Sequence, residues 1–145
     1  MLTAKEIMTR EVKSIGPDVK LVEAIKVLLE NKISGMPVCD STGAVIGIIS
    51  ERDILNYIFS GNIGTTTVRE AMSTNVLSFT PDTPIDIISL ALGERKIRRV
   101  PIIENNKLAG VISRRSILRT VPRRRRQRRN RQEPQRQFFY PGQHG

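Results

Sequence analysis

Side chains able to do chemistry are scarce and unevenly placed in this sequence. The lone histidine, His144, is the penultimate residue, and the lone cysteine, Cys39, lies inside an apolar run. This excludes histidine-based catalysis within the fold, an internal disulfide framework and any multi-cysteine zinc site. The most informative stretch is Gly47-Ile-Ile-Ser-Glu-Arg-Asp53. Gly47 lacks a Cβ, so a ligand or a neighbouring backbone can come close. Ser50 ends an apolar run and opens a helix, whose first N–H groups form a ready anion site. Asp53 is an acceptor-only, bidentate group suited to both hydroxyls of a ribose. The plainer alternative is that Ser50 caps the helix and Asp53 complements its dipole. A second stretch, Gly110-Val-Ile-Ser-Arg-Arg-Ser116, has Ser116 where the first has Asp53. Serine reaches less far and carries no charge, so ribose capture is expected to be weaker there. No nucleophile–base pair, metal-ligand cluster or glycine-rich cofactor loop is readable elsewhere. The chain reads as a non-enzyme.

The elements that must hold these residues come in duplicate. Thr3–Thr9 matches Thr67–Ser73 at an offset of 64, and Pro17-Asp18 matches Pro81-Asp82. Lys32-Ile33 matches Lys96-Ile97, and Met36-Pro-Val38 matches Val100-Pro-Ile102. Each copy predicts β-α-β-β-α. A first strand (Val12–Ile15, Val76–Phe79) is closed by Pro17 or Pro81. Asp18 and Asp82 stand where a helix N-cap belongs. Leu21, Val22, Ile25, Leu28 and Leu29 then form an amphipathic stripe, matched by Ile85, Ile88, Ala91 and Leu92. Two apolar runs follow in each copy, joined by Asp40–Gly43 in the first and Asn105-Asn106 in the second. Ser50 and Ser113 cap the closing helices. Gly61–Thr67 is a linker whose Gly-x-x-Gly spacing is too weak for a phosphate loop, because no strand feeds it and no lysine follows. Neither copy has enough apolar area to stand alone, so the two should pack about a pseudo-twofold axis as an α/β (α+β) unit. The expected organisation is 1–61 for the first copy, 62–70 for the linker and start of the second, 71–122 for the second copy, and 123–145 for a tail.

Charge divides the chain in the same way. Of the net charge of +10, the segment 123–136 supplies +7 from eight arginines and Glu133. A like-charge run among Gln, Asn and Pro cannot bury enough apolar area to offset its ordering entropy, so the tail is expected to be unstructured unless a partner orders it. Arg123, Arg124, Arg125, Arg126, Arg128, Arg129 and Arg131 could neutralise phosphates without reading sequence. Phe138, Phe139 and Tyr140 could stack on bases. No apolar stretch could span a bilayer and no secretory leader is readable, so the chain is expected to be soluble and cytoplasmic.

These residues, in this order, resemble the cystathionine-β-synthase (CBS) domain pair, or Bateman module. The resemblance covers about residues 3–121. It rests on Ile7-Met-Thr9 and Ala71-Met-Ser73, on Gly35-Met-Pro-Val38 and Arg99-Val-Pro-Ile102, and on the Gly47–Asp53 stretch. It implies a regulatory module that binds AMP, ADP, ATP or S-adenosylmethionine in clefts between the copies and associates as a homodimer. Faces including Ile54, Leu55, Ile58, Ile117 and Leu118 are the expected contacts. It also implies that a cleft draws its ribose carboxylate from one copy and its phosphate-binding cations from the other. Ser50 and Asp53 would then be joined by Arg98, Arg99 and Arg115, while a weaker second cleft would hold Ser34, Arg52, Ser113 and Ser116. The competing reading is a protein that associates with nucleic acid, or with an acidic partner, through its arginine-rich tail.

Overall fold

The computed structural model describes residues 1–60 and 62–121, and the arginine-rich tail with its aromatic trio lies outside the described residues. In chain order the elements are α1 (Ala4–Ile7), α2 (Leu21–Asn31), β1 (Gly35–Cys39), β2 (Val45–Ser50), α3 (Glu51–Ile58), α4 (Val68–Ala71), α5 (Ile85–Arg95), β3 (Arg99–Glu104), β4 (Lys107–Ser113) and α6 (Arg114–Leu118).

Two antiparallel hairpins, β1–β2 and β3–β4, hold the centres of the two copies. Their turns use the expected chemistry. Asp40 Oδ1 accepts from the backbone N–H and hydroxyl of Thr42 at 2.9 and 2.6 Å, and Gly43 adopts φ +89. Asn105 and Asn106 both take positive φ, 53 and 63, which suits a tight two-residue hairpin turn. Register then places Gly35 opposite Ser50 and Arg99 opposite Ser113. The residue that precedes each proline run therefore faces the serine that opens the next helix.

The first strands of the sequence reading shrink to single parallel bridges, Ile15 with Val38 and Phe79 with Ile102. Pro37 and Pro101 still accept a bond there, from Ile15 N–H at 3.1 Å and Phe79 N–H at 3.2 Å. Having no N–H of their own, these prolines cannot extend the ladder. The expected N-caps also move. Lys20 and Pro84 occupy those positions, while Asp18 and Asp82 pair with Arg69 at 3.3 Å and Lys5 at 3.2 Å.

Those two ion pairs mark an exchange of segments between the copies. The chain around α1 packs on copy two, where Ala4 joins a core with Ile85, Ile88, Val100, Ile102 and Ile112. The chain around α4 packs on copy one, where Val68 and Ala71 join Leu21, Leu28, Met36, Val38 and Ile49. Backbone pairs lock both contacts: Thr9 exchanges bonds of 3.0 Å with Val111, and Ser73 exchanges bonds of 2.9 Å with Ile48. The close approach explains the two strand glycines. A Cβ on Gly47 would stand 3.0 Å from the Ser73 carbonyl oxygen and 2.6 Å from Met72 Sδ; one on Gly110 would meet Thr9 and Met8 in the same way.

The α2 stripe is narrower than the periodicity suggested: Leu21, Ala24 and Leu28 are buried, but Val22 and Leu29 face outward. In α5 the expected Ile85, Ile88 and Leu92 are buried, while Ile87 and Leu90, outside that stripe, are exposed. Ile54 and Ile117, expected at a dimer face, belong to the cores instead, because the short closing helices turn those positions toward their own sheets. Leu55, Ile58 and Leu118 are exposed. Among the described residues no helix is long and apolar enough to cross a membrane.

Candidate functional site

The strand-to-helix junction of copy one is built as a capping box. Ser50 Oγ accepts from the backbone N–H of Asp53 at 3.3 Å, and Asp53 Oδ2 accepts from the backbone N–H and the hydroxyl of Ser50, both at 2.9 Å. The plainer sequence alternative is thus realised: the pair caps α3. The other carboxylate oxygen, Oδ1, accepts from the Ser73 hydroxyl at 3.1 Å. Ser73 arrives with the exchanged segment, so the carboxylate lies where the copies meet. A carboxylate has about four lone-pair sites, and three are engaged, so a diol must displace Ser73 to take both of its bonds on Oδ1.

Asp53 and Ser50 line a cleft of about 650 Å³ that also contains Ser34, Arg52, Ser73, Asn75, Arg95, Lys96, Arg98 and Arg99. Copy two supplies most of its cations from the end of α5 and the start of β3. Arg98 and Arg99 stand with Asp53 as the sequence reading expected. Arg115 does not. It lines an adjoining cleft of about 850 Å³, together with Ser34, Ser113, Arg114, Arg98 and Arg99. Arg52, assigned by sequence to the weaker cleft, lines the Asp53 cleft instead, and Ser116 lines neither. Ser116 is held by Ser113: its hydroxyl lies 3.1 Å from Ser113 Oγ and its N–H donates to that oxygen at 3.2 Å. The second residue after each capping serine, Arg52 in copy one and Arg115 in copy two, thus lines the opposite cleft from the one inferred.

Arg99 sits between the two clefts and lines both. Its guanidinium donates to Ser34 Oγ and lies against Gly35, where a Cβ would collide with it. These are its own counterparts in copy one, because Ser34-Gly35 occupies the positions that Arg98-Arg99 fills in copy two. One arginine reaching across the axis needs a small residue opposite; two would repel. The guanidinium is half-buried, and burial pushes its pKa down, with Arg98 adding to the effect and Glu51 opposing it. It stays charged, since arginine starts far above neutral pH. Among the described residues no carboxylate comes within ion-pair distance of Arg99, and Glu51 favours its charge from farther off.

Sequence reasoning missed Ser73 and the paired lysines. Ser73 was visible only as the last residue of a repeated motif, with nothing to show which copy it serves. Lys32 and Lys96 end α2 and α5 in the left-handed conformation, φ 53 and 54, a position glycine fills at lower cost. Lys32 lines the larger cleft and Lys96 the Asp53 cleft. Cys39 is half-buried and burial raises its pKa, consistent with a small strand hydrophobe.

The CBS domain model matches residues 4–60 and 68–123. CBS domain-containing protein YhcV of Bacillus subtilis (strain 168) is 31% identical over 114 residues, 78% of this chain and 81% of that protein. Some relatives are much longer: L-aspartate semialdehyde sulfurtransferase of Methanocaldococcus jannaschii is 25% identical over 110 residues, only 21% of its length. The crystal structure of CBSX2 in complex with AMP superposes with a TM-score of 0.79 at 25% identity, covering 86% of this chain and 99% of that one. The CBS domain pair of protein MJ0100, in complex with 5′-methylthioadenosine and S-adenosyl-L-methionine, shares the fold with a TM-score of 0.77 at 24% identity, covering 86% and 98%. This chain therefore belongs to the CBS domain family and carries the domain twice, in tandem.

Proposed function

We propose that this CBS pair is a regulatory sensor that binds an adenine nucleotide in the Asp53 cleft, one competent site per chain, and performs no catalysis of its own. The observation that carries the reading is the pairing of a diol acceptor, Asp53, with a half-buried cation, Arg99, that makes no ion pair among the described residues, in one cleft. A nucleotide is a diol with an anion attached. Asp53 would hold the ribose, Ser50 and the first N–H groups of α3 would lie near the phosphate end, and Arg98 and Arg99 would supply charge. The AMP bound to CBSX2 supports this ligand class. S-adenosylmethionine shares the ribose but carries a sulfonium cation, so the arginines favour a phosphate over it. Ser116, tied to Ser113 and facing neither cleft, gives the second copy no matching ribose acceptor.

Calorimetric titration of the whole chain with AMP, ADP, ATP and S-adenosylmethionine tests the reading. Binding near one nucleotide per chain is expected, with S-adenosylmethionine weaker; no heat from any of the four would refute it. The pairs are further proposed to associate as homodimers through the apolar helix faces left uncovered, where Leu29 and Phe59 are 74% and 91% exposed. A monomer by light scattering would refute that part.

A further inference from the structure

Positive charge extends beyond the arginine-rich tail into the folded pair. Residues 1–94 carry eight basic and twelve acidic side chains, whereas residues 95–119 carry eight basic and one acidic, Glu104. The fold gathers most of these cations at one edge of the second hairpin. Arg99 pairs with Ser113 across the ladder, and the Arg114 N–H donates to the Arg98 carbonyl at 2.9 Å, so the start of β3 adjoins α6. Glu104 lies with Lys107 at the opposite, turn end of that hairpin.

Within this edge, α6 carries charge against the preference of its own helix. Its first turn holds Arg114 and Arg115 and no acid, where the first turn of α3 in copy one holds Glu51 and Asp53. Cations there oppose the macrodipole. Arg115 and Arg119 stand one turn apart, a spacing at which like charges repel. Arg114, Arg115 and Arg119 are exposed, and none makes an ion pair with a described residue. Arginines so placed are matched to an anion outside the fold. Four residues after Arg119 the eight arginines of 123–136 begin, and no lysine follows Lys107. Arginine is the cation whose planar fork takes phosphate with two bonds. Phe138, Phe139 and Tyr140, three of the six aromatics, then follow. Bases stack on such rings when they are unpaired. No leucine, isoleucine, valine or methionine follows Val121, so the segment lacks the aliphatic face that a bilayer takes up.

We infer that α6 and the segment after it form one interface for single-stranded nucleic acid. Arg115 and Arg119 bind phosphates on the surface of the pair, the arginines of 123–136 bind those that follow, and the rings at 138–140 stack on bases. The inference goes beyond the nucleotide reading, which uses neither Arg115 nor Arg119, and stands or falls separately from it.

The test is fluorescence anisotropy of the full chain, across a salt series, with labelled uridylate and thymidylate strands of about 20 nucleotides, longer than common single-strand sites, and with a duplex of equal length. Single strands should bind more tightly than the duplex, and the tighter of the two strands names RNA or DNA as the source. Arg115→Gln combined with Arg119→Gln should make the slope of log affinity against log salt shallower by about 1.4, at about 0.7 per phosphate contact. The melting temperature of that variant should stay equal or rise, since repulsion is relieved, so its loss of affinity cannot be ascribed to misfolding. Phe138→Ser, Phe139→Ser and Tyr140→Ser together should weaken strand binding by about tenfold or more and leave the slope unchanged. An unchanged slope in the arginine variant removes the folded pair from the interface and overturns the inference. A duplex bound as tightly as the strands, or a serine variant with undiminished affinity, removes the stacking and overturns it too. Binding to phosphatidylserine vesicles that the strands do not displace also overturns it, and would assign the surface to a membrane.

Discussion

Asp53 caps α3 and, in the proposed reading, also accepts the ribose; a well-chosen substitution separates the two roles. As a cap it receives the Ser50 N–H and hydroxyl at 2.9 Å, and losing such a cap costs about 0.5–2 kcal/mol of stability. As a ribose acceptor it would contribute charge-assisted hydrogen bonds whose loss costs about 1.5–3 kcal/mol, or roughly tenfold to a hundredfold in affinity. Asp53→Ala removes both functions and confuses them. Asp53→Asn keeps the shape and one carbonyl oxygen for the Ser50 N–H, while its amide can donate to the Ser73 hydroxyl, so the unliganded protein should melt close to wild type. Ligand at a hundred times its dissociation constant adds about 2.7 kcal/mol to apparent stability. At the same concentration a tenfold weaker variant would gain about 1.4 kcal/mol, and a hundredfold weaker one about 0.4 kcal/mol. Thermal shift with AMP, run on wild type, Asp53→Asn and Ser116→Ala, reads the difference directly. Ser116→Ala should keep the full ligand shift, because Ser116 lines neither cleft. An Asp53→Asn protein with an undiminished shift would refute the argument and leave Asp53 as a helix cap only.

Gly110→Ala would place a Cβ 2.8 Å from the Thr9 carbonyl oxygen and should destabilise the chain by about 1–3 kcal/mol, whereas Gly93→Ala, in α5 with nothing within 4 Å, should be neutral or stabilising; chemical denaturation of the pair checks the opposite signs. Deleting residues 123–145 should leave the melting temperature nearly unchanged and abolish retention on heparin or DNA columns; retention with an unchanged salt slope would place polyanion binding in the CBS pair. Asp40 has its pKa held below the ordinary 3.8, chiefly by the Thr42 hydroxyl. A depressed folded value means that the turn's stabilisation is complete above the unfolded pKa and is lost as pH falls through the folded one. Carboxyl titration by NMR should give a midpoint below 3.8 that rises in Thr42→Ala.

What the sequence disclosed was local. Apolar spacing located α2 and α5, and Asp40–Gly43 and Asn105-Asn106 located the hairpins, because turn chemistry and helix period act over a few residues. The exchange of α1 and α4 was invisible for a definite reason. Thr3–Thr9 and Thr67–Ser73 are near-copies, so either hairpin offers either segment much the same groove, and no local preference decides between them. The same ambiguity misassigned Arg115 and Arg52, since symmetry relates the clefts and only their assembled geometry shows which residue faces which. Asp18 and Asp82 misled as caps because carboxylates serve helix starts and ion pairs equally well, and the exchanged segments brought Arg69 and Lys5 within reach.

The exchange also fixes a sequence of events. When residues 1–60 leave the ribosome, their core still lacks Val68 and Ala71, and α1 has no strand to pair with until Val111 has been made. Closure therefore waits for the end of the second copy, and contacts between distant parts of a chain are the slow ones to form. The finished molecule gains from the same arrangement. A cut in the segment between residues 61 and 66 would release two fragments that each hold part of the other's core, joined by Thr9–Val111 at one seam and Ile48–Ser73 at the other. Two such fragments mixed together should rebuild the whole pair, as neither half-clasp closes without its twin.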